Sequence, residues 1–96
     1  MRRLEDWYIS NCDGDWEHQN GVNIETLDNP GWAIEIDLAG TALERTGFNP
    51  VERHNDDQND WILCRRNGMN FEGFGGPQNL DELLTVFFDW VDANRS

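Results

Sequence analysis

The chain alternates between two hydrophobic periods. Leu4, Trp7, Tyr8 and Cys12 recur at helical spacing with Glu5, Asp6 and Ser10 between them, and Asp13-Gly14 follows as a stop signal. Glycine takes the left-handed C-cap conformation without a Cβ clash, so the first helix is expected to end there. Its acidic residues lie in the first turns and suit the helix dipole, but so short a helix depends on packing. The strongest helical stripe lies near the other end: Leu80, Leu83, Leu84, Phe87 and Val91, widened by Val86, Phe88 and Trp90. Asp81, Thr85, Asp89 and Asp92 fall outside it, and Asn79 with Glu82 stands before it as an N-x-x-E capping box.

Between these helices the period is two. Val22, Ile24 and Thr26, then Trp32, Ile34, Ile36 and Leu38, alternate with polar or small residues around Asn29-Pro30-Gly31. This predicts an antiparallel hairpin. Keeping Ile24 and Ile36 on one face demands an odd loop, and a loop of Asn29 to Gly31 sets those two residues opposite each other. Trp61 to Arg66 and Met69 to Phe74 flank Asn67-Gly68, a strong hairpin signal that pairs Arg66 with Met69, Cys64 with Phe71 and Ile62 with Gly73. That face is the better core candidate. The opposite one carries Trp61, Leu63, Arg65, Asn70, Glu72 and Phe74, a mixed surface. Val51 to Asn55, after Pro50, reads as an edge strand. The rest of the stretch from Ala39 to Asp60 offers only Leu43 and Phe48 as apolar anchors, and ends in a polar loop with three carboxylates, Asp56, Asp57 and Asp60.

The order is helix, four or five mostly antiparallel strands, helix. It predicts a two-layer α+β domain over residues 1–96 with the C-terminal helix packed on the sheet. A chain of 96 residues has room for one core. Its mean hydropathy of -0.75 would argue against a core, but five Trp, five Phe and one Tyr each bury a large area.

Charge narrows the list of partners. Nineteen acidic against seven basic side chains give a net charge of -12 and a pI near 4.2. That balance repels phosphate backbones and anionic lipid and attracts basic proteins, so neither nucleic acid nor membrane is expected as a partner. Acidity alone favours the plainer reading, a solvated, soluble surface. The N-terminal Met1-Arg2-Arg3-Leu4 runs directly into Glu5 and Asp6, with no apolar signal region, and no stretch is long and apolar enough for a helical span. A cytoplasmic location with reduced thiols is the expectation.

Candidate chemistry mostly fails on spacing. Asn11, Asp13, Asp15 and Glu17 alternate like calcium-loop ligands, but the sixth and twelfth positions hold Trp16 and Val22 rather than Gly and Glu. His18 and His54 have no metal-ligand spacing around them. Cys64-Arg65-Arg66-Asn67-Gly68 invites a thiolate reading, but it sits in a strand–turn–strand context, where a buried structural thiol is the default. Gly73-Phe74-Gly75-Gly76 lacks the lysine and basic surroundings of a phosphate loop. No cofactor, metal or catalytic group is expected.

The stretch from Trp7 to Trp32 carries three of the five tryptophans, and with other segments it resembles a known family. Cys12-Asp13-Gly14-Asp15-Trp16-Glu17-His18, Thr26-Leu27-Asp28-Asn29-Pro30-Gly31-Trp32, Ile36-Asp37-Leu38, Gly40-Thr41, Asp60-Trp61 to Cys64, and Phe71-Glu72-Gly73 with Gly75-Gly76-Pro77 are similar to the immunity protein 53 family. The likeness is densest in the first forty residues and weakest between Leu43 and Asn59. It implies a small cytoplasmic α+β protein of a bacterial polymorphic-toxin system. Such a protein protects the producing cell and its kin by binding a cognate toxin domain as a stoichiometric inhibitor.

Charge steering toward a basic toxin then selects candidate contacts. One group is Glu25, Glu35 and Asp37 on the solvent face of the first hairpin. The other is a loop pair carrying Asp13, Asp15 and Glu17 with Asp56, Asp57 and Asp60. Trp16 would be a hot spot if exposed among these carboxylates, although a loop pin packed on the core is the better expectation for it. The partner expected is thus a cognate, basic toxin domain, bound by a monomer or weak dimer. Two other classes compete: a small-ligand or carbohydrate module using exposed aromatics, and a Cys64 enzyme.

Overall fold

The computed structural model describes residues 2–54 and 59–94. Helix α1 (Arg2–Asn11) is followed by one short turn of helix, α2 (Trp16–Gln19). Strands β1 (Val22–Leu27), β2 (Gly31–Asp37), β3 (Val51–His54), β4 (Trp61–Asn67) and β5 (Asn70–Gly75) come next, and α3 (Leu80–Ala93) closes the order. The strands form an open antiparallel sheet in the order β1-β2-β5-β4-β3. The fold is therefore α+β, with an N-terminal helix, five strands and a C-terminal helix laid on the sheet.

Both hairpins keep the expected faces and differ from the expected register by two residues. Ile24 pairs with Ile34, not Ile36, and the loop of the first hairpin is Asp28 to Pro30. Gly31 belongs to the strand, paired with Leu27, and the position has no room for a side chain: an added Cβ would stand 2.4 Å from the Gly75 carbonyl oxygen. In the second hairpin Arg66 pairs with Phe71, Cys64 with Gly73 and Ile62 with Gly75, so the loop is Gly68-Met69. An Asn67-Gly68 loop of the favoured type would need positive φ at both residues. Only Gly68 has it, at +60°, which suits a glycine-first turn.

The parity of the alternation decides the core. Ile34, Ile36, Ile62, Cys64 and Phe71 point to one face and are buried against Leu83, Leu84, Phe87, Trp90 and Val91 of α3. Gly73 and Gly75 let the helix come close, since added Cβ atoms there would meet Leu83 at 3.4 and 3.3 Å. Helix α1 shares this face with α3. Trp7 packs edge-on against Phe87 with ring centroids 5.1 Å apart, and Arg3 lies 4.7 Å over Phe88 while pairing with Asp92 at 2.7 Å.

The loop from Ala39 to Pro50 covers the end of the core. Leu43 is buried there, and Phe48 packs on Phe71 and Trp90. The Trp90 indole N–H donates to the Gly47 carbonyl at 3.0 Å. The opposite face of the sheet carries no helix among the described residues.

Candidate functional site

The expected contact residues go to different places. Asp13 and Glu17 build the turn between α1 and α2. The Asp13 carboxylate accepts hydrogen bonds from the Asp15 and Trp16 amides, and Glu17 accepts from the Asp13 and Gly14 amides at 2.8–3.1 Å. These backbone donors hold both carboxyls below their ordinary range: the Trp16 amide leads for Asp13, and a backbone hydrogen bond for Glu17. Gly14, at φ +95°, makes the turn possible. Asp15 is exposed beside them.

Trp16 is 6 % exposed, and its indole N–H donates to the Ala39 carbonyl at 2.7 Å. Its ring packs edge-on against Trp7 and Tyr8. It pins the loop beyond the C-terminal end of β2.

Asp60 lies at the other end of the sheet, ahead of β4. Arg53 of β3 donates to Asp60 at 3.0 Å and to Glu82 at 2.9 Å, and the Asn79 amide donates to both carboxylates at 3.0 Å. The Arg53 hydrogen bond holds the Glu82 carboxyl below its ordinary range. The expected capping box is therefore not formed as a backbone cap. Asn79 spends its side-chain N–H groups on carboxylates, and its buried Oδ1, turned toward Gly76, accepts no hydrogen bond among the described residues. The two acidic loops that sequence grouped together are thus separated by the length of β2 as far as Asp13, Asp15, Glu17 and Asp60 are concerned. Asp56 and Asp57 lie outside the described residues.

Glu25, Glu35 and Asp37 do share a face, the helix-free one. Asp37 is engaged there, accepting from the Gly21 backbone amide at 2.8 Å and from the Asn70 side-chain amide at 2.7 Å. Two rows of side chains cross the sheet beside it. The first runs Glu25, Ala33, Phe74, Leu63, Glu52, and the second Asn23, Glu35, Glu72, Arg65. Between them lies an open depression of about 230 Å³, lined by Asn23, Glu25, Ala33, Ile34, Glu35, Glu72 and Phe74. Arg65 donates to Glu72 at 2.8 Å and lies 5.7 Å from the Phe74 ring centre. Among the described residues no cation pairs with Glu25 or Glu35.

The sequence reading took Glu25 and Glu35 but left Phe74, Leu63, Arg65 and Glu72 as a mixed surface. The signal joining them was strand order: the two hairpins meet through β2 and β5, which no local pattern reveals.

Catalytic and carbohydrate readings find little to work with. Cys64 is fully buried, and burial pushes its thiol up to about 12. No group of three or more His, Cys, Asp and Glu among the described residues is placed to hold a metal ion. The Trp16, Trp32 and Trp90 indoles donate to the carbonyls of Ala39, Pro77 and Gly47, so these rings are structural pins rather than a stacking platform. No helix among the described residues is long and apolar enough to cross a membrane.

Comparison with known proteins agrees with the resemblance. The model of the family described as immunity protein 53 matches residues 1–92, and the chain belongs to that family. No curated protein and no solved structure matches it.

Proposed function

We propose that this member of the immunity protein 53 family is a cytoplasmic immunity protein. It binds the toxin domain of a bacterial polymorphic-toxin system one to one and neutralises it by occlusion, without catalysis, protecting the producing cell and its kin. The observation that carries this reading is the family match over residues 1–92, which runs from α1 through all five strands and into the last turn of α3.

The physical chemistry supports it. A charge of -12 accelerates the encounter with a basic partner and opposes binding to nucleic acid or anionic membrane. The exposed acidic positions, among them Asp15, Glu25 and Glu35, contribute to that steering field. An inhibitor needs a stable surface rather than a reactive group, and the buried Cys64 and the pinned indoles fit that need.

The test is growth of a bacterial host expressing the toxin domain encoded beside this gene, with and without this chain. Rescue with recovery of a 1:1 complex is the expected result. Continued killing at full expression of the folded chain, with no complex recovered, would sink the reading.

A further inference from the structure

We infer that the helix-free face of the sheet is the surface that meets the toxin, and that its depression over Ala33 and Phe74 receives a basic side chain from a folded, positively charged partner. This rests on the reading of the chain as a toxin-binding protein and adds where, and by what chemistry, it binds.

Three observations converge. The first is coverage: α1, α3 and the Ala39–Pro50 loop occupy one side of the sheet and, among the described residues, leave the other bare. Ala33, Phe74 and Leu63 form a continuous apolar band across its three middle strands, each only partly exposed. Such a band with a polar rim is the anatomy of a protein interface.

The second is charge placement. Glu35 of β2 stands directly opposite Glu72 of β5, an arrangement that like charges disfavour. Arg65 sits on the far side of Glu72 and compensates that carboxylate alone. Glu25 lies diagonally from Glu35 across β1 and β2, at the other wall of the same depression. A cation placed above Ala33 would be within reach of Glu25, Glu35 and Glu72 at once. Asp37 on this face, and Asp13, Glu17, Asp60 and Glu82 elsewhere, are engaged in intramolecular hydrogen bonds.

The third is a precedent within the chain. Arg65 lays its guanidinium near the Phe74 ring while pairing with Glu72, so this face already holds one arginine by an aromatic and a carboxylate. The Glu25–Glu35 side of the same ring offers the same chemistry with no cation of its own among the described residues. A partner arginine there would be held by charge-assisted hydrogen bonds to the walls and by contact with the ring.

The test compares three folded proteins against the toxin domain encoded beside the gene: the native chain, Glu25→Lys/Glu35→Lys on the bare face, and Asp6→Lys/Asp89→Lys on the helical side. Both doubles change net charge equally, and circular dichroism establishes their folding. The bare-face double should bind on the order of a hundredfold more weakly, while the helical-side double stays within about threefold of native. Equal losses in both doubles, or none in either, would overturn the surface while leaving toxin binding intact. A native dimer that the Glu25→Lys/Glu35→Lys change dissociates would instead make the face a seam between two copies. Failure of the native chain to bind overturns the toxin reading, and this inference with it.

Discussion

The guanidinium of Arg66 reaches from β4 to the Leu43 carbonyl, 3.0 Å away, and donates as well to the carbonyls of Glu44 and Thr46. One side chain thereby gathers the end of a turn whose amides bond back to Thr41 and Leu43. Carbonyls grouped at the end of a turn carry partial negative charge and favour a cation. This contact gives shape to a segment whose own sequence specifies little.

Replacing Arg66 with methionine keeps much of the aliphatic bulk and removes the donors. Stability should fall by about 2 kcal/mol, the range for lost hydrogen bonds to a charged group. Hydrogen exchange should speed up most at the Thr46 amide, with little change in β2. Uniform exchange across the domain would show that Arg66 does not organise this loop.

Acid should weaken the tie between β3 and α3. The Arg53 hydrogen bond lowers the Glu82 carboxyl below its ordinary 4.5, so its contribution is fully present above that pH and is lost as the pH falls through the lower folded value. The Glu82 side chain is 37 % exposed, so solvent screening limits the effect to under about 1 kcal/mol. Urea midpoints measured from about pH 6 to about pH 3 should decline less steeply for Glu82→Gln than for the native chain. Parallel curves would remove Glu82 from the acid response.

The two cysteines should differ toward a thiol reagent. Burial raises the Cys64 thiol to about 12, whereas Cys12 is only half-buried, with its Sγ donating to the Tyr8 carbonyl at 3.2 Å. Native protein should titrate no more than one thiol at neutral pH, and protein in denaturant should titrate two. Rapid labelling of Cys64 in the folded state would reopen the thiol-enzyme alternative.

Two glycines should answer alanine substitution differently. A Cβ at Gly76 would stand 2.1 Å from the Asn59 carbonyl oxygen, a backbone atom that cannot move aside cheaply. Gly76→Ala is expected to cost about 3 kcal/mol or more. Gly68→Ala meets open space and suffers only from its φ of +60°, a cost of about 1–2 kcal/mol. Thermal melts of the two variants test the order, and equal losses would contradict it.

Local pattern carried the element types and the faces. The stripe from Leu80 to Val91 and the alternation through Ile34, Ile36, Ile62, Cys64 and Phe71 were legible because period and burial agree at each position. Trp16 was also legible as a loop pin, since a buried indole needs a carbonyl. Less could be read of the candidate surface. Glu25 and Glu35 stood out as outward residues of one hairpin, but their neighbours on the second hairpin come from a pairing distant in sequence.

Alternation by itself determined which residues of each strand face the helices, because a shift of one residue would turn the whole apolar set to solvent. It could not distinguish registers two residues apart, which leave every side chain on the same face. Tertiary structure decided those, through the close approach of Gly31 to Gly75 and the positive φ of Gly68. It also decided that α1 shares the face of α3, that Arg66 shapes the loop after β2, and that Glu35 stands opposite Glu72. Each of these depends on contacts between segments far apart along the chain, where composition and period carry no distance information.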